Sequence, residues 1–218
     1  YDGTISGDGT LIKDGSTSTL RLQGTTSVAN IEINQGTLRV QGNADALGGA
    51  GTTVTIGASG SENAILNYSG SNVTYTNKAG IAVGAGSTGT KTIQNRGTDN
   101  VENTAITLND SVTIDDSGTF TLGGVISGSG GLTKINSGTT TLTGANTYSG
   151  NTTVSDGTLS LATGSTHSGT GAYSVEGGIL KVAAGVDLSA HAMTIGLGGV
   201  ISPGNSPGTA NVGSQTWN

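Results

Sequence analysis

One stretch of this sequence occurs twice, and the repeat limits the possible folds more than any other feature. Residues 5–13 read ISGDGTLIK, and residues 126–134 read ISGSGGLTK. The similarity continues downstream, because GTLRV at 36–40 corresponds to GTLSL at 157–161. A sandwich or barrel built of short strands has no reason to repeat its own sequence. A solenoid does, because each coil is one structural unit stacked on the next.

A glycine followed by alternating apolar residues marks the end of each unit. This ending occupies residues 36–40, 118–122, 157–161 and 178–182, at intervals of about twenty residues or a small multiple, which lies at the short end of the solenoid range. Period-two alternation, as in VTI at 54–56 and 112–114, predicts strands with one buried face. The Gly, Asn, Ser and Asp clusters between them are typical of tight turns, and we expect φ > 0 at Gly36, Gly157 and Gly178.

These patterns predict an all-β fold, a right-handed parallel β-helix (β-solenoid) of about 20 residues per coil with little or no helix. We expect residues 1–218 to form a single continuous solenoid segment, with 57–103 less regular and able to carry loop decorations. The chain opens at Tyr1 without a leader, which is typical of an internal piece of a longer protein.

Composition argues against a disordered chain, against several classes of partner and against cysteine chemistry. Only 10% of residues are charged, the net charge is −6 and there are 2 prolines. Disordered chains combine low hydrophobicity with high charge or abundant proline, so this composition favours an ordered chain. The 8 scattered basic residues oppose nucleic-acid binding. No apolar run is long enough to span a bilayer, so we expect no membrane insertion by this segment. The absence of cysteine excludes disulfides and thiolate metal sites.

The second copy of the repeat resembles a known family. Residues 131–134 (GLTK), 138–154 (GTTTLTGANTYSGNTTV) and 157–159 (GTL) resemble the passenger-associated transport repeat of autotransporter proteins. A degenerate copy covers 9–40 and has Thr25-Thr-Ser27 in place of Asn-Thr-Tyr. Residues 201–209 (ISPGNSPGT) are similar to a motif of the same large bacterial surface proteins. The resemblance implies a right-handed parallel β-helix that is exported and displayed on, or released from, the cell surface.

The acidic and histidine side chains form no recognisable site. Asp115 and Asp116 are predicted to form a turn; on a strand they would point to opposite faces. Asp99 and Glu102 fit a solvated loop better than a calcium loop. His167 and His191 lie 24 residues apart, close to one coil, and are interpreted as surface side chains rather than metal ligands.

The positions of the lysines and tyrosines also favour structural roles. Lys13 and Lys134 end the same motif, which favours a positional role in the coil over a catalytic one. Four tyrosines could stack against sugar rings, but capping of turns or covering of the core is favoured, namely Tyr68, Tyr75, Tyr148 and Tyr173. We therefore predict no catalytic residue, no cofactor and no metal site.

The predicted function is a non-catalytic, extracellular structural or adhesive segment of a bacterial surface or secreted autotransporter-like protein. Its partners would be other copies of itself, or a cell-surface glycan or protein. One alternative is a self-assembling fibre or coat subunit that stacks end to end through open strand edges. A polysaccharide-active β-helix enzyme is a weaker alternative, because no suitable group of side chains is evident.

Overall fold

A computed structural model describes residues 1–76, 78–204 and 211–217. Its largest sheet has ten parallel strands, each contributed by a different coil. In chain order these strands are Thr19–Leu22, Gly36–Val40, Ala64–Tyr68, Lys91–Asn95, Val112–Asp116, Leu132–Ile135, Thr152–Val154, Tyr173–Val175, Met193–Ile195 and Gln215–Trp217. With strands about 4.8 Å apart, this sheet extends for roughly 45 Å along the stacking direction.

Two further parallel sheets form the other long faces. A seven-stranded sheet contains Thr74–Tyr75, Asn100–Glu102, Thr119–Leu122, Thr139–Leu142, Thr158–Leu161, Ile179–Val182 and Val200–Pro203. A six-stranded sheet contains Thr10–Lys13, Asn30–Ile33, Thr53–Ile56, Gly80–Val83, Ile106–Leu108 and Ile126–Gly128. Three two-stranded pairs join Ile5–Ser6 to Thr26–Ser27, Ala145–Asn146 to Thr166–His167, and Asp187–Leu188 to Asn211–Val212.

Strand register gives the length of each coil. Val112 pairs with Leu132 and Leu132 with Thr152, so these coils contain 20 residues. The coils that begin at Gly36 and Ala64 are longer, at 28 and 27 residues, because Gly36 pairs with Ala64 and Ala64 with Lys91. The predicted β-solenoid and its period of about twenty residues are confirmed. The stretch 57–103, expected to be less regular, keeps its strands in the same three sheets and takes up the extra residues in its turns.

The core is a thin column of aliphatic side chains between the sheets. On the ten-stranded sheet, successive strands stack Leu38, Leu66, Ile93 and Ile114, all of which are essentially inaccessible to solvent. A single coil cannot bury its own apolar stripe, so each coil depends on its neighbours. The strict alternation seen in the sequence corresponds to these buried inner and partly exposed outer positions.

Helix is nearly absent, as predicted. In the described part of the chain the only helical element is one 3-10 turn, Ala44–Leu47, in which the Asp45 amide donates a hydrogen bond to the capping Asn43 side chain. None of the described helical structure is long and apolar enough to cross a membrane. Of the motif at 201–209, residues 205–210 lie outside the described residues.

The two copies of the repeat occupy different faces of the solenoid. Lys13 ends a strand of the six-stranded sheet, whereas Lys134 lies on a strand of the ten-stranded sheet. The second copy is therefore displaced by one face relative to the first. The repeat specifies a strand–turn–strand unit, and the same unit serves at two different corners of the coil.

Candidate functional site

Lys134 occupies an interior position in an otherwise aliphatic column. It pairs in register with Ile114 on one side and Val154 on the other, and it is fully buried. Its ammonium group donates hydrogen bonds to the carbonyl oxygens of Ile135 (2.9 Å), Asn136 (2.6 Å) and, at the long limit, Asp156 (3.5 Å). Burial lowers the pKa of Lys134, while nearby aspartates oppose that shift.

Lys13 makes the same set of contacts at another corner. Its ammonium group donates to the carbonyls of Asp14 (3.0 Å), Gly15 (2.9 Å) and Gln35 (2.8 Å), at the same sequence offsets as in the second copy. Both lysines therefore tie together the turns of two successive coils. This contact geometry agrees with the positional role predicted for them, because the hydrogen bonds of each ammonium group go to turn carbonyls.

A glycine completes each of these lysine turns. Gly36 and Gly157 have φ of 75° and 65°, as predicted, and a Cβ on either would lie 2.3 Å from a carbonyl oxygen of the preceding coil. The prediction of positive φ at Gly178 is wrong, because the φ angle of this residue lies outside the left-handed region. Gly178 is required for close approach instead, since an added Cβ would lie 2.8 Å from the Val154 side chain.

The paired aspartates are on a strand, so the prediction of a turn at Asp115 and Asp116 is wrong. Both belong to Val112–Asp116, which continues because Asn95 and Asp116 stay in register. Their side chains point to opposite faces, as expected for a strand. Asp116 is fully buried and accepts hydrogen bonds from Asn95 (2.9 Å) and Thr140 (3.0 Å). The two carboxylates therefore cannot act together on one substrate.

Asp115 takes part in a surface network on the outer face. Its carboxylate accepts two hydrogen bonds from Arg96, at 2.9 and 2.6 Å, and further ones from Gln94 (2.8 Å) and Asn136 (3.1 Å). Partial burial raises the pKa of Asp115, but these hydrogen bonds outweigh that effect and bring the pKa to about 2. The carboxylate is therefore held as an anion and has no proton to give at neutral pH.

Glu102 is not in a solvated loop, contrary to prediction. It ends strand Asn100–Glu102 with its side chain in the core, 3.1 Å from Lys78 Nζ. The Tyr68 hydroxyl donates to Glu102 at 2.7 Å, and the ring of Tyr75 packs edge-on against that of Tyr68. Burial first, and the Glu102 charge second, raise the pKa of both tyrosines.

Asp99, the other half of the predicted loop, lies outside this core cluster. It has φ of 55° and accepts a hydrogen bond from the Thr119 hydroxyl (2.8 Å) at the surface. Asp99 and Glu102 therefore belong to different environments, and together they hold no common ligand. The sequence pattern does not show the core cluster, because Glu102 lies one coil beyond Tyr68 and Lys78.

The histidines are buried, so their interpretation as surface side chains is wrong. His167 is 8% exposed and His191 is 3% exposed. They lie on successive coils, because His191 Nε2 is 2.8 Å from the carbonyl oxygen of His167. Tyr148 and Tyr173 are buried beside them, and Tyr68 and Tyr75 are buried in the Glu102 cluster. All four tyrosines thus cover the core as predicted and offer no platform to a sugar ring.

The histidines and tyrosines surround a small polar cavity of about 10 Å³, which we call the histidine chamber. This volume is roughly that of a single water molecule. The chamber is lined by Asn146, Tyr148, Gly150, Thr152, His167, Gly169, Gly171, Tyr173 and His191. A substrate cannot enter a space of this size. Throughout the described ranges, no group of three or more histidine or acidic side chains is placed to hold a metal ion.

The outer face of the ten-stranded sheet carries a column of hydroxyl side chains. Nine of its ten register positions are Thr or Ser, and Ile65 is the exception. We call this set the hydroxyl column: Thr19, Thr37, Ile65, Thr92, Thr113, Thr133, Thr153, Ser174, Thr194 and Thr216. None of these side chains is buried, so they form a continuous neutral surface along the solenoid.

Comparison with known families agrees with this architecture. Residues 132–161 match the model of the passenger-associated transport repeat. The repeat contains Lys134, its partner glycine Gly157 and the strands from Leu132–Ile135 to Thr158–Leu161. Together with the β-solenoid it fits an autotransporter passenger segment, a family that implies a surface or secreted protein. Neither the curated proteins nor the solved structures contain a match to the chain.

Proposed function

We propose that this chain is a non-catalytic structural and adhesive segment of an extracellular bacterial protein. The observation that carries the proposal is the hydroxyl column, with Thr or Ser at nine of its ten positions on the ten-stranded sheet. A rigid stack of hydrogen-bonded coils holds its surface in a fixed arrangement and needs no internal site to do so.

The disposition of the reactive side chains supports the absence of catalysis. Lys134 is occupied by turn carbonyls, Glu102 by Lys78 and Tyr68, and Asp115 by Arg96. A polysaccharide-active site requires carboxylates that converge on an open face within reach of a substrate. In the described part of the chain, Glu102 and Asp116 are buried in such contacts, and the adjacent Asp115 and Asp116 point to opposite faces.

The hydroxyl column is the surface that we propose for adhesion. Its side chains donate and accept hydrogen bonds without carrying charge, which suits contact with the hydroxyl groups of a glycan or with the backbone of another protein. The partner in this proposal is a cell-surface glycan or protein. Each strand of the ten-stranded sheet contributes one position to the column, so we attribute adhesion to the column as a whole and not to one coil.

Surface display of the chain tests this function. The chain would be displayed on bacteria from an outer-membrane translocator, and attachment to glycan arrays and epithelial cells would be counted. In one variant, Thr113, Thr133 and Thr153 are each replaced by lysine. A matched control carries lysine at Thr55, Thr107 and Thr121, which are outward positions on the other two sheets.

We expect the column variant to lose at least about tenfold in attachment, equivalent to about 1.4 kcal/mol, while the control retains it. Equal attachment by both variants and the parent chain would contradict the placement of the adhesive surface. Release of reducing sugar from polysaccharides by the purified chain would contradict the non-catalytic assignment. Filament formation with the column intact would instead favour a structural polymer.

A further inference from the structure

Both ring nitrogens of His191 face carbonyl oxygens. Nδ1 lies 2.7 Å from the oxygen of Gly171, and Nε2 lies 2.8 Å from the oxygen of His167. The side chain is 3% exposed, so bulk solvent does not compete for either contact. Rotating the ring by half a turn would put carbon atoms against both oxygens, so the observed orientation is the one that satisfies them.

A carbonyl oxygen only accepts hydrogen bonds, and a neutral imidazole has only one N–H to donate. With a neutral ring, one of the two carbonyls would face a nitrogen lone pair at hydrogen-bond distance, inside the protein. The imidazolium form has two N–H donors and satisfies both oxygens. Its hydrogen bonds are also charge-assisted and therefore stronger.

His167 has partners of a different kind. Its Nδ1 lies 3.2 Å from the Tyr173 hydroxyl, and its Nε2 lies 3.2 Å from the Ser165 hydroxyl. A hydroxyl can donate or accept, so a neutral His167 is satisfied in either tautomer. Burial, and then the nearby His191, lower the pKa of His167 to about 4. Of the two buried histidines, only His191 requires a proton on both nitrogens.

We propose that His191 is a proton-binding site, held as a buried imidazolium that joins the coil of residues 167–171 to the coil above it. The bound proton acts as a structural ligand of the folded chain. Because the folded state holds this proton, its stability falls as the pH rises and the proton leaves. The C-terminal coils therefore loosen in alkaline solution, which makes this part of the solenoid responsive to pH.

The groups around His191 agree with a single positive charge there. The ring of Tyr173 contacts it at right angles, with 5.2 Å between ring centroids. The other titratable groups of the chamber are His167 and Tyr148, and no carboxylate lines the chamber. The carboxylates on the neighbouring coils, Asp156, Glu176 and Asp187, lie at exposed positions. The carbonyl oxygens therefore supply the negative ends that stabilise the imidazolium.

Nuclear magnetic resonance of the ¹⁵N-histidine-labelled full chain tests the proposal directly. At pH 7 we expect the His191 ring to show two protonated nitrogens and the His167 ring to show one. A His191 spectrum with one protonated and one bare nitrogen at pH 7 would overturn the proposal. The matched variants His191→Gln and His167→Gln assign the signals.

Thermal unfolding supplies a second readout that does not depend on the assignment. Between pH 7 and 9 we expect the melting temperature of the parent chain to fall by about 2–4 °C, as for a loss near 1 kcal/mol in a chain of this size. The His167→Gln variant should show the same fall, whereas His191→Gln should show none. A fall of equal size in all three proteins would overturn the proposal, since His191 would not be its source. If His191→Gln does not fold, the spectrum of the parent chain decides alone.

Discussion

A Cβ atom added to Gly157 would lie 2.9 Å from the ammonium nitrogen of Lys134, and the same relationship recurs at 2.6 Å between Gly36 and Lys13. Each lysine fills the space beneath a turn, and each glycine leaves that space open. The pair is therefore one structural device, used at two corners of the solenoid.

Replacing Lys134 by methionine tests the lysine half of this device. Methionine keeps most of the buried stem but leaves the carbonyls of Ile135 and Asn136 without their donor. We expect a loss of about 2 kcal/mol in the free energy of unfolding, because charge-assisted hydrogen bonds are removed from a buried site. Urea unfolding followed by circular dichroism measures it. Lys181→Met, at an exposed position, is the control and should change stability by less than about 0.5 kcal/mol.

Replacing Gly157 by alanine tests the glycine half. Alanine at φ of 65° costs about 1–2 kcal/mol, and overlap with the carbonyls of Asn136 and Gly138 adds about 1–3 kcal/mol. Gly185→Ala is the matched control, because Gly185 has φ of 83° and open space around it. The difference between the two variants in urea unfolding isolates the steric cost. Equal losses of stability in the two variants would mean that the turn at Gly157 accommodates the added methyl group at no free-energy cost.

The buried pair of Lys78 and Glu102 gives a third prediction. Glu102→Gln keeps an oxygen for the Tyr68 hydroxyl but leaves the Lys78 charge unpaired in the core. We expect a loss of about 3–5 kcal/mol, as for other buried ion pairs broken on one side. Adding Lys78→Met removes the stranded charge and should restore at least about 1 kcal/mol. A double variant no more stable than Glu102→Gln would show that the ion pair is not the origin of the loss.

Below neutral pH, we expect the stability of the folded chain to change with pH because of His167. Its pKa is about 4 in the folded chain and near 6.5 when unfolded. The unfolded chain therefore binds more protons between these values, so stability is complete above about pH 6.5 and falls as the pH drops to about 4. We expect a loss of up to about 3 kcal/mol over this window. His167→Gln should flatten this part of the profile in urea unfolding, whereas Asp115 titrates at lower pH and should leave it unchanged.

Much of the fold could be predicted from local pattern. Alternation in Val112-Thr-Ile114 predicts a strand with one buried face, and the recurring glycine endings predict coils of about twenty residues. The transport repeat at 131–159 and the positional role of its lysine are also evident in the sequence. These features are local, because a strand, a turn and the side chain between them lie within one coil.

The environments of the charged and polar residues could not be predicted in the same way. Asp116 continues a strand because Asn95, one coil away, offers it a hydrogen bond. Glu102 enters the core because Lys78 and Tyr68 of the preceding coil meet it there. Each of these contacts joins residues separated by at least 20 positions, and their separation varies with the length of the turns between them.

The sequence by itself determined the repeating strand–turn unit, its period and the alternation of inner and outer side chains, since these follow from backbone geometry within a coil. Only the tertiary structure decided which face each copy of the repeat occupies and which polar groups meet in the interior. The physical reason is the stacking of coils of unequal length: the coils beginning at Gly36 and Ala64 are longer than the later ones. Stacking also brings His191 onto the carbonyl oxygen of His167 in the preceding coil.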